Sequence, residues 1–239
     1  MKCIYVLLTT LLLAGCATEA SVMLPEAWRQ AMRASPTAVL FTDDVESIRL
    51  RVGKFNMPAL TGPAETLRYG DVWNAGPQIT AVHAEELAKL GFKATSVYKL
   101  VDDEPVPSLT AQGRENRARS YEIIPVVTPA LASALQAKGQ RLLLWVTWSG
   151  LEIFHTPAST PVEQINSSYW LFDIATQRLL WSGGLADIRD SDLKASEVTQ
   201  KLEADQFAAI RRIVVEHYRL AYRHEEDTVP WLLGTLGAK

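Results

Sequence analysis

The chain has 239 residues, 48% hydrophobic and 21% charged, close to ordinary globular usage and too apolar for a disordered chain. Its 24 Lys and Arg against 27 Asp and Glu give a net charge of −3, which lacks the basic surplus a nucleic-acid binder needs to gather phosphates. Glycine (13) and proline (12) stand at background level, so collagen-like and low-complexity architectures are excluded as well.

Lys2 supplies a short positive region, and residues 4–14 form the apolar run Ile-Tyr-Val-Leu-Leu-Thr-Thr-Leu-Leu-Leu-Ala. A transmembrane helix needs roughly 20 residues, so this run is too short to span. It fits the apolar core of a signal peptide. It ends in Leu13-Ala14-Gly15-Cys16, which resembles the lipobox of bacterial lipoproteins at all four positions. The resemblance implies cleavage before Cys16 and acylation of its thiol and new amino group. Residues 1–15 are then a lipoprotein signal peptide, 16–24 a lipidated tether, and 25–239 a single periplasmic domain with an apolar tail. The alternative is an ordinary secretory signal with Cys16 beside the cut. Ala17, where Asp favours retention in the inner membrane of Gram-negative lipoproteins, implies the outer membrane on its periplasmic side. With Cys3 in the signal and Cys16 acylated, no free thiol is left for disulfides, thiol catalysis or zinc–thiolate sites. No other segment approaches 18 apolar residues in a row.

Along the mature chain, Pro25-Glu26-Ala27-Trp28 opens a helix to about Ala34, with proline and an acid at its start. Val39-Leu40-Phe41 is strand-like. Ile48, Leu50 and Val52 alternate with Arg49 and Arg51, a strand with one buried face. Residues 56–77, with Pro58, Gly62, Pro63, Gly70, Gly76 and Pro77, read as a long irregular connection. A helix is expected from Gln78 to Leu90, ended by Gly91, and a strand from Phe92 to Leu100. Asp102 to Gly113 reads as a solvated loop, and 114–119 has no clear periodicity. Tyr121 to Val127 reads as a strand. Thr128-Pro129 then caps a helix that Gly139 ends.

Leu142 to Trp148 is a strongly apolar strand that continues past Gly150 to Phe154, with a bulge or bend expected at the glycine. Ser168–Ile174 and Leu179–Trp181 read as an antiparallel hairpin about a short polar turn. A long helix is expected from Asp192, capped by Asp190 or Asp192, to Arg223, with Leu202, Phe207, Ile210, Ile213, Val214, His217 and Ala221 on one stripe. The fold class expected is α+β or mixed α/β: a single domain with a mixed, mostly antiparallel sheet packed by helices and a long C-terminal helix.

The segment Tyr169-Trp170-Leu171-Phe172-Asp173-Ile174-Ala175-Thr176-Gln177-Arg178-Leu179-Leu180-Trp181-Ser182-Gly183 resembles a hairpin of envelope lipoproteins, in which Asp precedes a Thr-containing turn and Trp-Ser-Gly closes the return strand. Such hairpins occur in proteins with the TolB amino-terminal-like fold, including activators of penicillin-binding proteins and the curli secretion lipoprotein. The usual turn glycine is Gln177 here. The resemblance implies a non-catalytic lipoprotein that docks to other envelope components.

Catalytic signatures are sparse. There is no glycine-rich phosphate loop, and neither Ser149-Gly150 nor Ser182-Gly183-Gly184 has the glycine two positions before the serine that a nucleophile elbow requires. His217 and His224 share a helix face, but two turns, about 10.5 Å, separate them. That is too far for one ion to bridge. Asp187, Asp190 and Asp192 lack the glycine and distal Glu of a calcium loop. Among the seven tryptophans, Trp145 and Trp148 point to opposite sides of a regular strand. Trp170 and Trp231 are the candidate partner contacts, the latter in the apolar segment Val229-Pro230-Trp231-Leu232-Leu233.

The sequence therefore predicts a lipid-anchored cell-envelope protein, not an enzyme, acting as an adaptor or assembly factor. Its expected partners are the membrane, through acylated Cys16, and an envelope protein. No nucleic acid, metal or cofactor is expected. The alternative is a periplasmic glycan or cell-wall hydrolase using a carboxylate pair from the acidic clusters.

Overall fold

A computed structural model describes residues 24–43, 47–53, 61–68, 73–101, 111–116, 123–155, 162–190, 208–220 and 222. Its helices are α1 (Glu26–Ala34), α2 (Ala75–Lys89), α3 (Val97–Leu100), α4 (Pro129–Ala137) and α5 (Ala208–Leu220). Its strands are β1 (Thr37–Asp43), β2 (Ser47–Gly53), β3 (Thr61–Arg68), β4 (Ala94–Ser96), β5 (Ala111–Asn116), β6 (Ile123–Val126), β7 (Leu142–His155), β8 (Val162–Asp173) and β9 (Arg178–Asp190). Among the described residues no helix is long and apolar enough to cross a membrane.

Among the described residues, seven strands form one mixed sheet organised on β7. Along one side β7 pairs antiparallel with β8, which pairs antiparallel with β9. Along its other side β7 pairs parallel with β1 in its first half and with β2 in its second. β4 adds parallel to β1, and β3 antiparallel to β2. The two longest ladders are the antiparallel ones, as the α+β reading expects. β5 and β6 make a separate antiparallel pair.

Both faces of the central strands are covered, which explains why Leu142–Val146 is continuously apolar rather than alternating. Val39, Phe41, Leu144, Val146, Tyr169 and Leu171 join Met32, Ile79, Leu87, Ile210 and Val214 in one core under α1, α2 and α5. Ala38, Leu40, Leu143, Trp145, Trp170 and Phe172 join Val97, Leu131 and Leu135 in a second core under α3 and α4. The two-residue period of the strands distributes neighbours between the two layers.

Several expectations hold in detail. Thr128 Oγ1 accepts the Leu131 N–H at 3.0 Å at the start of α4. Gly91 and Gly139 follow their helices with φ +83° and +74°, the left-handed conformation that a side chain disfavours. The β7–β8 register shifts between Trp148 and Leu151, where Gly150 was expected to mark a bulge or bend.

Others differ. The span expected to be an irregular connection contains β3, an edge strand in which Pro63 falls where the β2–β3 register shifts; an edge is where a missing N–H is tolerated. α2 begins at Ala75, three residues early, because Pro77 fits the first turn. Only 94–96 of the expected Phe92–Leu100 strand is extended, and Val97–Leu100 is a helical turn. A short apolar run carries too little periodicity to tell the two apart. Residues 111–116 are a strand. The hairpin is longer than expected at both ends, and Asp190 is the last residue of β9 rather than a helix cap. α5 lies within the expected C-terminal helix; residues 191–207, including Asp192, lie outside the described residues.

Candidate functional site

Among the described residues, a group of buried polar and titratable side chains lies between α2, α5 and the sheet. On α2, Thr80 and His83 are three residues apart and so share a face. Both are fully buried. β4 stops at Ser96, opposite Val39; just beyond it the Phe41 N–H of β1 donates to Thr80 Oγ1 at 2.9 Å. A helix hydroxyl thus takes over where the strand partner ends, meeting the need of a buried amide for an acceptor.

His83 sits one turn further along. Its Nδ1 is 2.6 Å from Tyr222 Oη, just beyond α5. Its ring centroid lies 4.5 Å from that of Tyr218 and 5.9 Å from that of Tyr169, the latter edge-on. Tyr218 Oη in turn meets Ser167 Oγ of β8 at 2.7 Å. His83 Nε2 is buried without a hydrogen-bond partner among the described residues. Burial pushes the imidazole down to about 3, because low-dielectric surroundings disfavour the charged form; His83 is neutral at pH 7. The Tyr222 phenol is raised by burial, with Tyr218 and the Glu86 carboxylate adding to the effect. Glu86 is itself buried and its Oε1 accepts from Lys89 Nζ at 2.7 Å.

This arrangement holds together three elements distant in sequence. It offers a neutral imidazole and two hydrogen-bonded phenols, all buried. Among the described residues no three His, Cys, Asp or Glu side chains stand close enough to hold a metal ion.

The residues singled out from sequence are placed differently. Trp170 is 1% exposed, and its Nε1–H donates to Thr147 Oγ1 at 3.2 Å. It stands opposite Trp145 across the β7–β8 ladder, and Trp145 Nε1–H donates to Thr42 Oγ1 at 2.9 Å. Trp170 is a core residue of the second layer, which corrects its reading as a partner contact. The two strands pair in register there, so both indoles fall on the face that α4 covers. Cys16, Trp231 and His224 lie outside the described residues. His217 is buried. Asp173, in the hairpin turn, accepts from the Thr176 N–H and the Thr176 hydroxyl on the same Oδ1, both at 2.8 Å. The backbone hydrogen bond from Thr176 is the main cause holding its carboxyl below the usual range. The Asp-Ile-Ala-Thr signature is thus a turn device.

Sequence reading passed over Thr80, His83, Ser167, Tyr218 and Tyr222. The available signal was spacing: Thr80 and His83 recur at helical intervals among Ile79, Val82 and Leu87, as polar intrusions in an apolar stripe.

No family model matches the sequence, and no curated protein sequence matches it. Solved structures that match at low similarity include one described as a lipoprotein. XCC0632 from Xanthomonas campestris, of the family model DUF330, is 13% identical with a TM-score of 0.40, covering 78% of this chain and 80% of that one. Lipoprotein GNA1162 from Neisseria meningitidis is 16% identical with a TM-score of 0.37, covering 75% and 99%. The LpoB C-terminal domain from Salmonella enterica is 16% identical with a TM-score of 0.28, covering 67% and 97%. Likeness at this level assigns neither family nor activity to the chain.

Proposed function

We propose that this chain is a lipid-anchored protein of the bacterial cell envelope, held by acylated Cys16 on the periplasmic side of the outer membrane, and that it acts without catalysis of its own, as an adaptor or assembly factor. The observation that carries the reading is Leu13-Ala14-Gly15-Cys16 directly after the apolar run of residues 4–14. A single acyl chain binds a bilayer marginally, and two or more hold it stably, so the modification implied at Cys16 suffices as the anchor. The buried titratable cluster around His83 fits a body whose polar interior serves packing.

Blocking lipoprotein processing with globomycin, or substituting Cys16→Ser, tests the anchor. The expected result is accumulation of the unprocessed precursor and, for Cys16→Ser, loss of the lipid that labelled palmitate deposits on the parent chain. Unchanged processing and labelling overturn it. The adaptor role is tested by cross-linking in intact cells: a discrete envelope-protein adduct supports it, and recovery of monomer alone counts against it.

A further inference from the structure

Five strands meet at one end of the large sheet, where β1, β4, β7 and β9 start and β8 ends. Backbone hydrogen bonds tie the residues just outside them into a row. The Thr37 N–H donates to Lys93 O at 2.9 Å, the Arg141 N–H to Pro36 O at 3.0 Å, and the Ile174 N–H to Arg141 O at 3.0 Å. Arg178 lies opposite Asp173 in the next ladder. α1, α2 and α4 end at the same place; Lys93 Nζ donates to Ala34 O, the last residue of α1, at 3.2 Å. The result is a terrace bearing exposed Arg33, Lys89, Lys93, Lys138, Arg141 and Arg178.

Among the described residues, the acids that stand against these six bases are Asp173 beside Arg141, Glu86 paired with Lys89, and Glu85 one turn back on α2. Three helix C-termini add about half a negative charge each, which still leaves the terrace positive. Helix ends explain bases at Arg33, Lys89 and Lys138. They do not explain Arg141 and Arg178, which cap no helix. The surplus stands out because the whole chain carries −3.

We infer that this basic end is a docking surface for the anionic headgroups of phospholipids, and that it sets the orientation of the domain on its membrane. The inference rests on the lipid-anchor reading for what brings the surface to the bilayer. The tether allows it. Residues 16–23 extend to about 26–29 Å, and α1, which leads from the tether to the terrace, is about 14 Å long. The anchor thus reaches past the whole of α1. Near an anionic leaflet each Lys or Arg is attracted.

The test uses two mature chains that begin at residue 16, the acylated parent and an unacylated Cys16→Ser chain made without residues 1–15, with vesicles of phosphatidylcholine alone or mixed with phosphatidylglycerol. Cys16→Ser is expected to float with the phosphatidylglycerol vesicles and not with phosphatidylcholine. Neutralising Lys93→Gln, Arg141→Gln and Arg178→Gln together weakens that binding on the order of a hundredfold, and high salt abolishes it. In the parent, a fluorophore at Ala175→Cys, on the exposed turn beside Arg178, is quenched by headgroup-labelled lipid in the anionic vesicles only. Equal binding to both lipids overturns the inference, as does a triple variant with an unchanged melting curve and unchanged binding. Displacement by millimolar inorganic phosphate at constant ionic strength also overturns it, since that marks a discrete phosphate site. If the acylated chain floats on neither lipid, the anchor reading has failed by itself; the Cys16→Ser flotation still decides the surface.

Discussion

His83 Nδ1 and Tyr222 Oη stand 2.6 Å apart, 139 residues apart in sequence, and both residues are buried. The bond ties α2 to the residue two positions past α5, and so closes the first core layer. Because the imidazole is neutral, one tautomer donates from Nδ1 to the phenol and the other accepts from it. In either case Nε2 is left buried and unpaired among the described residues. The structure tolerates that cost, of order 1–3 kcal/mol, at the point where three elements converge.

Acid should weaken the fold through this histidine. His83 has an ordinary value of 6.5 and a folded-state value of about 3. Below pH 6.5 the unfolded chain takes up a proton that the folded chain refuses, so stability present above pH 6.5 is lost progressively down to about pH 3. The slope approaches about 1.4 kcal/mol per pH unit. Denaturant unfolding at a series of pH values from 7 to 4 should show it, and His83→Gln should flatten the curve in this window. A parent curve that is flat between pH 6 and 5 contradicts the assignment. Asp173, with its lowered carboxyl, acts in the same direction at lower pH.

Tyr222→Phe removes the partner of Nδ1 while keeping the ring. A loss of about 1–3 kcal/mol is expected, since the imidazole is left with both nitrogens unpaired. In a double-mutant cycle with His83→Phe, the two losses should fall well short of additive. Additivity within about 0.5 kcal/mol would mean that the short contact contributes nothing of its own.

Much of the layer order was legible because it is written in local signals. Thr128-Pro129, Gly91 and Gly139 mark helix ends by chemistry that acts within a few residues, and Leu142–Val146 is apolar enough to announce a strand covered on both sides. β3 was hidden because Pro63 and Gly62 read as punctuation, and an edge strand alone can carry them. The His83 cluster was hidden for a different reason. Its members come from α2, β8 and the end of α5, and no periodicity in one segment reports a contact with another. Trp170 shows the converse: its sequence context resembles a surface motif, and its burial is decided by α4, some forty residues away.

Trp170→Ala distinguishes a core tryptophan from a contact one. Removal of a buried indole costs about 3–5 kcal/mol, a large part of the stability of an ordinary domain. The expected outcome is a strongly lowered melting temperature or an insoluble product. Trp170→Phe should retain the fold with a smaller loss, because the ring still fills the layer and only the bond to Thr147 goes. A Trp170→Ala protein that melts like the parent would return the residue to the surface.

Gln177 is the sole non-glycine residue with positive φ among the described residues, at +54°. It occupies the position where hairpins of the kind it resembles carry glycine. In the left-handed region a Cβ crowds the following carbonyl, at roughly 1–2 kcal/mol for an L residue. Gln177→Gly relieves that strain and gives back part of it through the greater freedom of glycine in the unfolded chain. The net expectation is a gain of about 0.5–1 kcal/mol, read as a higher denaturation midpoint. Gln177→Val, β-branched and without local hydrogen bonding, should move the midpoint the other way. The pair controls for any effect of losing the glutamine side chain, because both variants lose it and only the backbone preference differs. If both substitutions destabilise equally, the turn draws on the Gln177 amide and not on its conformation.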